Sequence, residues 1–149
     1  MSTERMLAIL SFMLMIVVGC QSKSNYEKVD SILIEVTGDG FNWYFRYPGP
    51  DGELGTKDDK YSTQDLYLPD NADVKLILQS KDYVYTFRIP ALNQKEVAVP
   101  GLSFDLQFRT TDEQTVELLG DQFCGFSHES LIGDVHVRDQ SLSAFYGWE

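Results

Sequence analysis

Apolar and polar residues alternate in short runs through most of the chain, the period-two pattern of strands that bury one face. Residues 31–37 alternate through Ile32, Ile34 and Val36. Residues 41–47 set Phe41, Trp43, Phe45 and Tyr47 on one face, and 73–79 do the same with Val74, Leu76 and Leu78. Segments 83–89, 103–109, 115–119 and 131–137 are equally short and rich in β-branched or aromatic residues. Gly38-Asp39-Gly40, Pro69-Asp70-Asn71, Pro100-Gly101 and Gly125 supply turns between them. No long stretch carries a helical period. The pattern predicts one all-β sandwich or barrel, with no internal repeat.

The first thirty residues read differently. An apolar run from Met6 to Gly19, interrupted by Ser11, follows Arg5. It is shorter than the roughly 20 residues of a spanning helix and has the length of a signal-peptide core. It closes on Val17-Val18-Gly19-Cys20, which resembles a bacterial lipobox, with small residues ahead of a cysteine whose sulfur takes the lipid. A short membrane anchor with an incidental cysteine is the plainer alternative. The expected organisation is a lipoprotein signal peptide over 1–19, a polar tether over 20–30 and a folded domain over 31–149. Cys20 would anchor the exported domain to a bacterial membrane, in the periplasm or on the outer face.

Composition narrows the function. With 43% hydrophobic and 13% aromatic residues, the 149-residue chain suits a packed core. The net charge of −11 excludes a nucleic-acid binder and suits a cationic partner, although solubility alone also accounts for it. If Cys20 is lipidated, Cys124 is the one remaining thiol and no internal disulfide forms. The loop 48–59 mixes glycines with Asp51, Glu53, Asp58 and Asp59. It reads either as a solvated loop or as a calcium loop, without the terminal bidentate Glu of an EF-hand. No nucleophile–base pair or paired-carboxylate site stands out, so no independent catalysis is expected.

The informative chemistry lies in residues 120–131, where Cys124 and His128 stand four apart between two predicted strands. A thiolate and an imidazole on one loop are the core of a mononuclear copper site, which needs a further His and a weak axial ligand. Alone, the spacing is weak evidence. The rest of the chain adds to it. Cys124-Gly125 and His128, then Gly133 and the segment 135–137, resemble the loop Cys-x-Glu-x-Cys-Gly-x-x-His-x-x-Met of cytochrome c oxidase subunit II. Ser80-Lys81-Asp82-Tyr83-Val84-Tyr85-Thr86-Phe87 and Lys95-Glu96-Val97-Ala98-Val99-Pro100-Gly101 resemble two upstream segments of that family. The aromatics at 41, 43, 45 and 47 resemble its aromatic strand, and Phe145 with Trp148 its C-terminal pair. The segments are collinear from about Ile32 to Glu149. The resemblance implies a cupredoxin-like Greek-key β-sandwich.

The departures from that family set the functional expectation. Its binuclear copper centre takes two bridging thiolates, two His, one Met and one backbone carbonyl. By the resemblance, the first bridging Cys corresponds to Gly120, the first His to Tyr85, the Met to Leu131 and the carbonyl position to Gln122. Cys124 and His128 are the side-chain ligands left. A binuclear centre is not expected. Mononuclear copper is the most the residues could hold, with Tyr85, the Gln122 carbonyl or Glu129 as a third contributor. Alternatively, Cys124 and His128 are remnants packed beneath their loop. His136, between Val135 and Val137, should point to the outer face. Phe41 and Trp43 are electron-relay candidates if a redox centre exists, and core residues otherwise. Three functions follow. One is a divergent or accessory subunit II of a haem-copper oxidase, with the oxidase core as partner. The second is a mononuclear copper electron-transfer protein that meets a cationic cytochrome. The third is a metal-free interaction module.

Overall fold

The computed structural model describes residues 31–139. Cys20, the proposed leader and tether, Phe145 and Trp148 lie outside them. The described part is a sandwich of two five-stranded sheets, as the alternation requires. The strands are β1 (Ile32–Asp39), β2 (Asn42–Tyr47), β3 (Lys60–Thr63), β4 (Leu66–Pro69), β5 (Asp73–Ser80), β6 (Tyr85–Ile89), β7 (Gln94–Ala98), β8 (Phe104–Arg109), β9 (Gln114–Gln122) and β10 (Gly133–Arg138). One sheet has the order β3-β2-β1-β5-β8 and the other β4-β10-β9-β6-β7. Most neighbours are antiparallel. The pairs β1–β5 and β4–β10 are parallel, which the crossovers between sheets make possible.

The alternating residues meet between the sheets. Ile32, Ile34, Val36, Leu76 and Leu78 from one sheet are fully buried, as are Tyr85, Phe87, Leu118, Val135 and Val137 from the other. Trp43, Phe45 and Tyr47 are fully buried too, so three members of the aromatic stripe are core. Phe41 departs from the expected stripe. It sits in the β1–β2 turn with φ of 62°, and the strand begins one residue later. Three strands escaped the sequence pattern: β3, β4 and β7. All three are sheet edges, where polar residues and a proline (Pro69) replace clean alternation. The segment expected at 115–119 runs on to Gln122, which moves Gly120 out of the loop and into β9.

The strand directions gather five connections at one pole: 40–41, 64–65, 81–84, 99–103 and 123–132. The carboxylate-rich loop 48–59 lies at the opposite end, between β2 and β3. Its acids serve its own architecture. Asp59 is buried, accepts from the Gly55 amide at 2.9 Å and pairs with Arg46. Asp58 accepts from the Thr56 hydroxyl. Burial works against the Asp59 charge, yet the Gly55 amide and Arg46 outweigh it and hold its pKa below the ordinary value.

At that opposite end Thr110 ties the sheets together. Its fully buried hydroxyl accepts from the Ala72 amide at 2.9 Å and reaches the Pro69 carbonyl at 2.8 Å. Thr110→Val keeps the shape but orphans a buried amide. It should cost about 1–3 kcal/mol, read as a lowered urea midpoint with unchanged slope. An unchanged midpoint would mean that water satisfies the amide.

Candidate functional site

The pole with the Cys124 loop is built around one hydrogen bond. Trp43, fixed by Phe87 (edge-on, ring centroids 5.2 Å apart) and Tyr85 (5.7 Å), donates its indole Nε1–H to the carbonyl of Leu131 at 3.1 Å. This anchors the far end of the 123–132 connection to β2. The contact fills the space beside Gly120. A Cβ there would lie 2.6 Å from Trp43 Nε1 and 2.7 Å from the Leu131 carbonyl oxygen. Only glycine fits at that point of β9. The near end of the connection closes as a turn in which Gly125, at φ of 90°, donates to the Gln122 carbonyl at 2.9 Å. Phe123 also donates its amide to the Val84 carbonyl at 2.8 Å.

Tyr85 is fully buried, and its hydroxyl is committed. It donates to Asp82 Oδ1 at 2.7 Å and accepts from the Phe41 amide at 3.2 Å. Burial, and then the hydrogen bond to the Asp82 carboxylate, push the Tyr85 pKa well above the ordinary phenol value. Asp82 behaves oppositely. Burial disfavours its charge, but the Tyr85 hydroxyl and the Gly40 and Tyr83 amides outweigh that and lower its pKa. Above these groups Phe41 stacks between two rings, Tyr83 at 5.0 Å and His128 at 3.8 Å. Ser130 donates to the Phe41 carbonyl at 2.6 Å and locks the stack to the loop.

The sequence-derived residues therefore separate. His128 is half-buried against Phe41, whereas Cys124 is exposed between the exposed rings of Phe123 and Phe126. The reading of Cys124 as a thiol packed beneath the loop is corrected: the turn at Gly125 carries it outward. Trp43 lies in the core and Phe41 at its edge. The Gln122 carbonyl is taken by Gly125, and Glu129 opens the short 3-10 turn Glu129–Leu131. Among the described residues Cys124 and His128 join no third His, Cys, Asp or Glu donor. A binuclear copper centre does not fit this donor set: Gly120 and Leu131 offer no side-chain donor, and the Tyr85 hydroxyl is already bonded.

Sequence reasoning missed a second group. Asp65, Asp134 and His136 place ligand-capable atoms within 4.8 Å of one another at the rim of the same pole. His136 does lie on the outer face, as its alternation with buried Val135 and Val137 indicated. Its neighbours could not be read, because they depend on the β4–β10 pairing.

No family model matches the chain. Among curated proteins it is 28% identical to the alternative cytochrome c oxidase subunit 2 of Bradyrhizobium diazoefficiens, over 80% of this chain and 50% of that protein. It is 28% identical to a probable quinol oxidase subunit 2 of Staphylococcus saprophyticus, over 83% of this chain and 32% of the relative. The chain thus spans half or less of these relatives. Among solved structures, the periplasmic domain of cytochrome oxidase subunit II from Bradyrhizobium japonicum superposes with a TM-score of 0.58 at 18% identity, over 73% of this chain and 85% of that one. The two-sheet sandwich with its loops gathered at one pole is a cupredoxin-like domain. More narrowly, it is a divergent domain similar to that of cytochrome c oxidase subunit II, with a likeness to those relatives in sequence as well as in fold.

Two tests probe the pole. Gly120→Ala should destabilise the fold by about 1–3 kcal/mol through overpacking, measured by urea unfolding. Part of that cost should return in the Gly120→Ala, Trp43→Phe double variant, since the second change removes Nε1; strict additivity would mean that the indole is not the obstacle. The second test is acid dependence. The folded Asp82 pKa lies below its ordinary value of 3.8, so its contribution is complete above that value and is lost as pH falls from there through the folded pKa. Tyr85→Phe removes the hydroxyl donor and should shrink the loss of stability as pH falls below about 4. Parallel pH profiles for wild type and variant would refute the coupling.

Proposed function

We propose that this chain is an exported, lipid-anchored relative of oxidase subunit II, a divergent or accessory component of a respiratory haem-copper oxidase without a binuclear copper centre. Residues 1–19 would be the signal peptide, Cys20 the lipidated residue, 20–30 the tether and 31–149 the domain. The observation that carries the reading is joint. The chain matches cytochrome c and quinol oxidase subunits 2, while three positions that resemble copper-ligand positions hold Gly120, Tyr85 and Leu131. Gly120 is pressed against Trp43, Tyr85 is bonded to Asp82, and Leu131 is fully buried. A domain in this role would work by docking. The five aromatic and aliphatic side chains exposed at the pole, Tyr83, Leu102, Phe123, Phe126 and Ile132, are apolar surface suited to a protein contact.

A second reading rests on Cys124 and His128. An exposed thiol and a half-buried imidazole on one short connection could hold a single copper ion, with Tyr85 and the Gln122 carbonyl as weak contributors only if they exchange their present hydrogen bonds for the metal. Phe41, stacked on His128 and edge-on to Tyr85, which packs in turn against Trp43, would then be the first ring of a relay inward. Without a metal, the same rings are packing, and the domain is an interaction module.

Copper titration of the full chain carrying Cys20→Ser, with optical and EPR spectra, separates these readings. For the docking subunit we expect no copper retained after desalting and no thiolate-to-copper band, together with haem absorbance in the fraction that co-purifies with the chain from native membranes. One retained copper with a four-line EPR pattern, abolished by Cys124→Ser, would replace the docking reading with the mononuclear one. Two coppers per chain would overturn the structural argument at Gly120 and Tyr85. Absence of both copper and haem protein would leave the interaction module.

A further inference from the structure

The β4–β10 pairing creates an arrangement that the Cys124 loop does not use. In this parallel pair Leu66 stands opposite Val135 and Tyr67 opposite His136. One step earlier on each strand, Asp65 and Asp134 come side by side, and the Asp134 amide donates to Asp65 Oδ1 at 3.0 Å. Leu66 and Val135 point into the core, so alternation turns both aspartates and His136 outward onto one patch. Like charges in neighbouring positions repel, and the ionisable nitrogen that faces the pair is distant: His136 Nε2 lies 3.9 Å from Asp65 Oδ2. A cation between them would remove that cost.

The imidazole is held for the purpose. Its ring stacks on Tyr67, with centroids 4.9 Å apart and an interplanar angle of 24°. Its Nδ1 lies 3.3 Å from Thr115 Oγ1, on the strand at the other side of β10, so Nε2 is turned toward the carboxylates. An imidazole fixed through its far nitrogen is the usual setting of a metal-ligating histidine. We propose that Asp65, Asp134 and His136 form a binding site for a divalent transition-metal ion of the zinc class, distinct from the Cys124–His128 pair. One nitrogen and two carboxylate oxygens are a donor set for such borderline cations, with the remaining positions open to water. The protein's charge of −11 raises the local concentration of any divalent cation.

Arg138 defines the metal-free state. Its guanidinium approaches His136 Nδ1 at 3.2 Å, and an arginine only donates. Nδ1 is then the acceptor, and Nε2 carries the proton. Metal binding reverses the tautomer. The metal takes the Nε2 lone pair, the ring proton moves to Nδ1, and Nδ1–H donates to Thr115 Oγ1. The neutral ring neither gains nor loses a proton. Arg138 gives up its contact with Nδ1, shares the Thr115 Oγ1 lone pairs with the ring (Nη2 at 3.3 Å), and keeps the Val137 carbonyl at 3.1 Å and the Gln114 carbonyl at 3.4 Å. The exchange therefore leaves no buried donor stranded.

The test is zinc titration of the full chain with Cys20→Ser and Cys124→Ser, which removes both thiols and with them any copper-type site. Calorimetry should give one zinc per chain. Long-range proton–nitrogen NMR should show His136 passing from the Nε2–H to the Nδ1–H form, with His128 unchanged. Asp134→Asn and His136→Gln should each weaken binding at least tenfold, and Thr115→Val, which removes the orienting acceptor, by about tenfold. Asp134 is exposed, so its variant keeps the test valid should His136→Gln disturb the fold. The proposal falls if zinc affinity is equal in all variants, if the NMR change appears on His128, or if nothing binds up to about millimolar zinc. None of these outcomes bears on whether the chain docks an oxidase.

Discussion

The hydrogen bond from the Trp43 indole to the Leu131 carbonyl is the contact on which the functional pole depends. It spans the two sheets, from β2 in one to the end of the β9–β10 connection in the other. It is buried, so breaking it strands a donor and an acceptor at a cost of about 1–3 kcal/mol. Because the indole reaches that far, β9 must be bare at Gly120. Because Leu131 is held there, Ser130 and His128 are drawn over Phe41. The pole is thus a packed, hydrogen-bonded cap on the sandwich. Its interior is satisfied from within, and its outward side chains include the exposed aromatics and one thiol.

The central strands were legible because burial on one face forces alternation, and a strand flanked on both sides has little freedom to break it. Ile32, Ile34 and Val36 on β1, and Val74, Leu76 and Leu78 on β5, declare themselves without any structure. Three of the four edge strands were illegible for the same reason in reverse. Lys60–Thr63 pairs on one side only and keeps polar residues on its free face. Leu66–Pro69 ends on a residue that a central strand would reject. Phe41 shows a finer limit. Its spacing matched the aromatic stripe, but Asp82 accepts from the Gly40 amide and Tyr85 from the Phe41 amide, and together they hold the turn at positive φ.

The site divides along the same line. Cys124 and His128 could be picked out because they are adjacent in sequence. What the sequence could not say is that the Gly125 turn sends the thiol outward while the histidine folds back onto Phe41. Nor could it show that Tyr85, placed where a ligand would resemble its relatives, turns its hydroxyl to Asp82, only three residues away. The Asp65–Asp134–His136 group was invisible because Asp65 and Asp134 are far apart in the chain. They meet only through a parallel pairing of an edge strand that the hydrophobic pattern did not reveal.

A fold of this type fixes where ligands can be placed more firmly than it fixes whether they are present. At the pole Gly120, Tyr85 and Leu131 each enter a contact that stabilises the backbone around them. The indole occupies the space beside Gly120, and the Tyr85 phenol fills its site and bonds to Asp82. Placing a metal ligand at any of these positions would therefore work against packing that is already in place. The rim is different. Its charged residues stand in water on rigid strands, so they can be altered without disturbing the core. For a sandwich with a settled interior, that is the surface on which new binding chemistry is least costly to place.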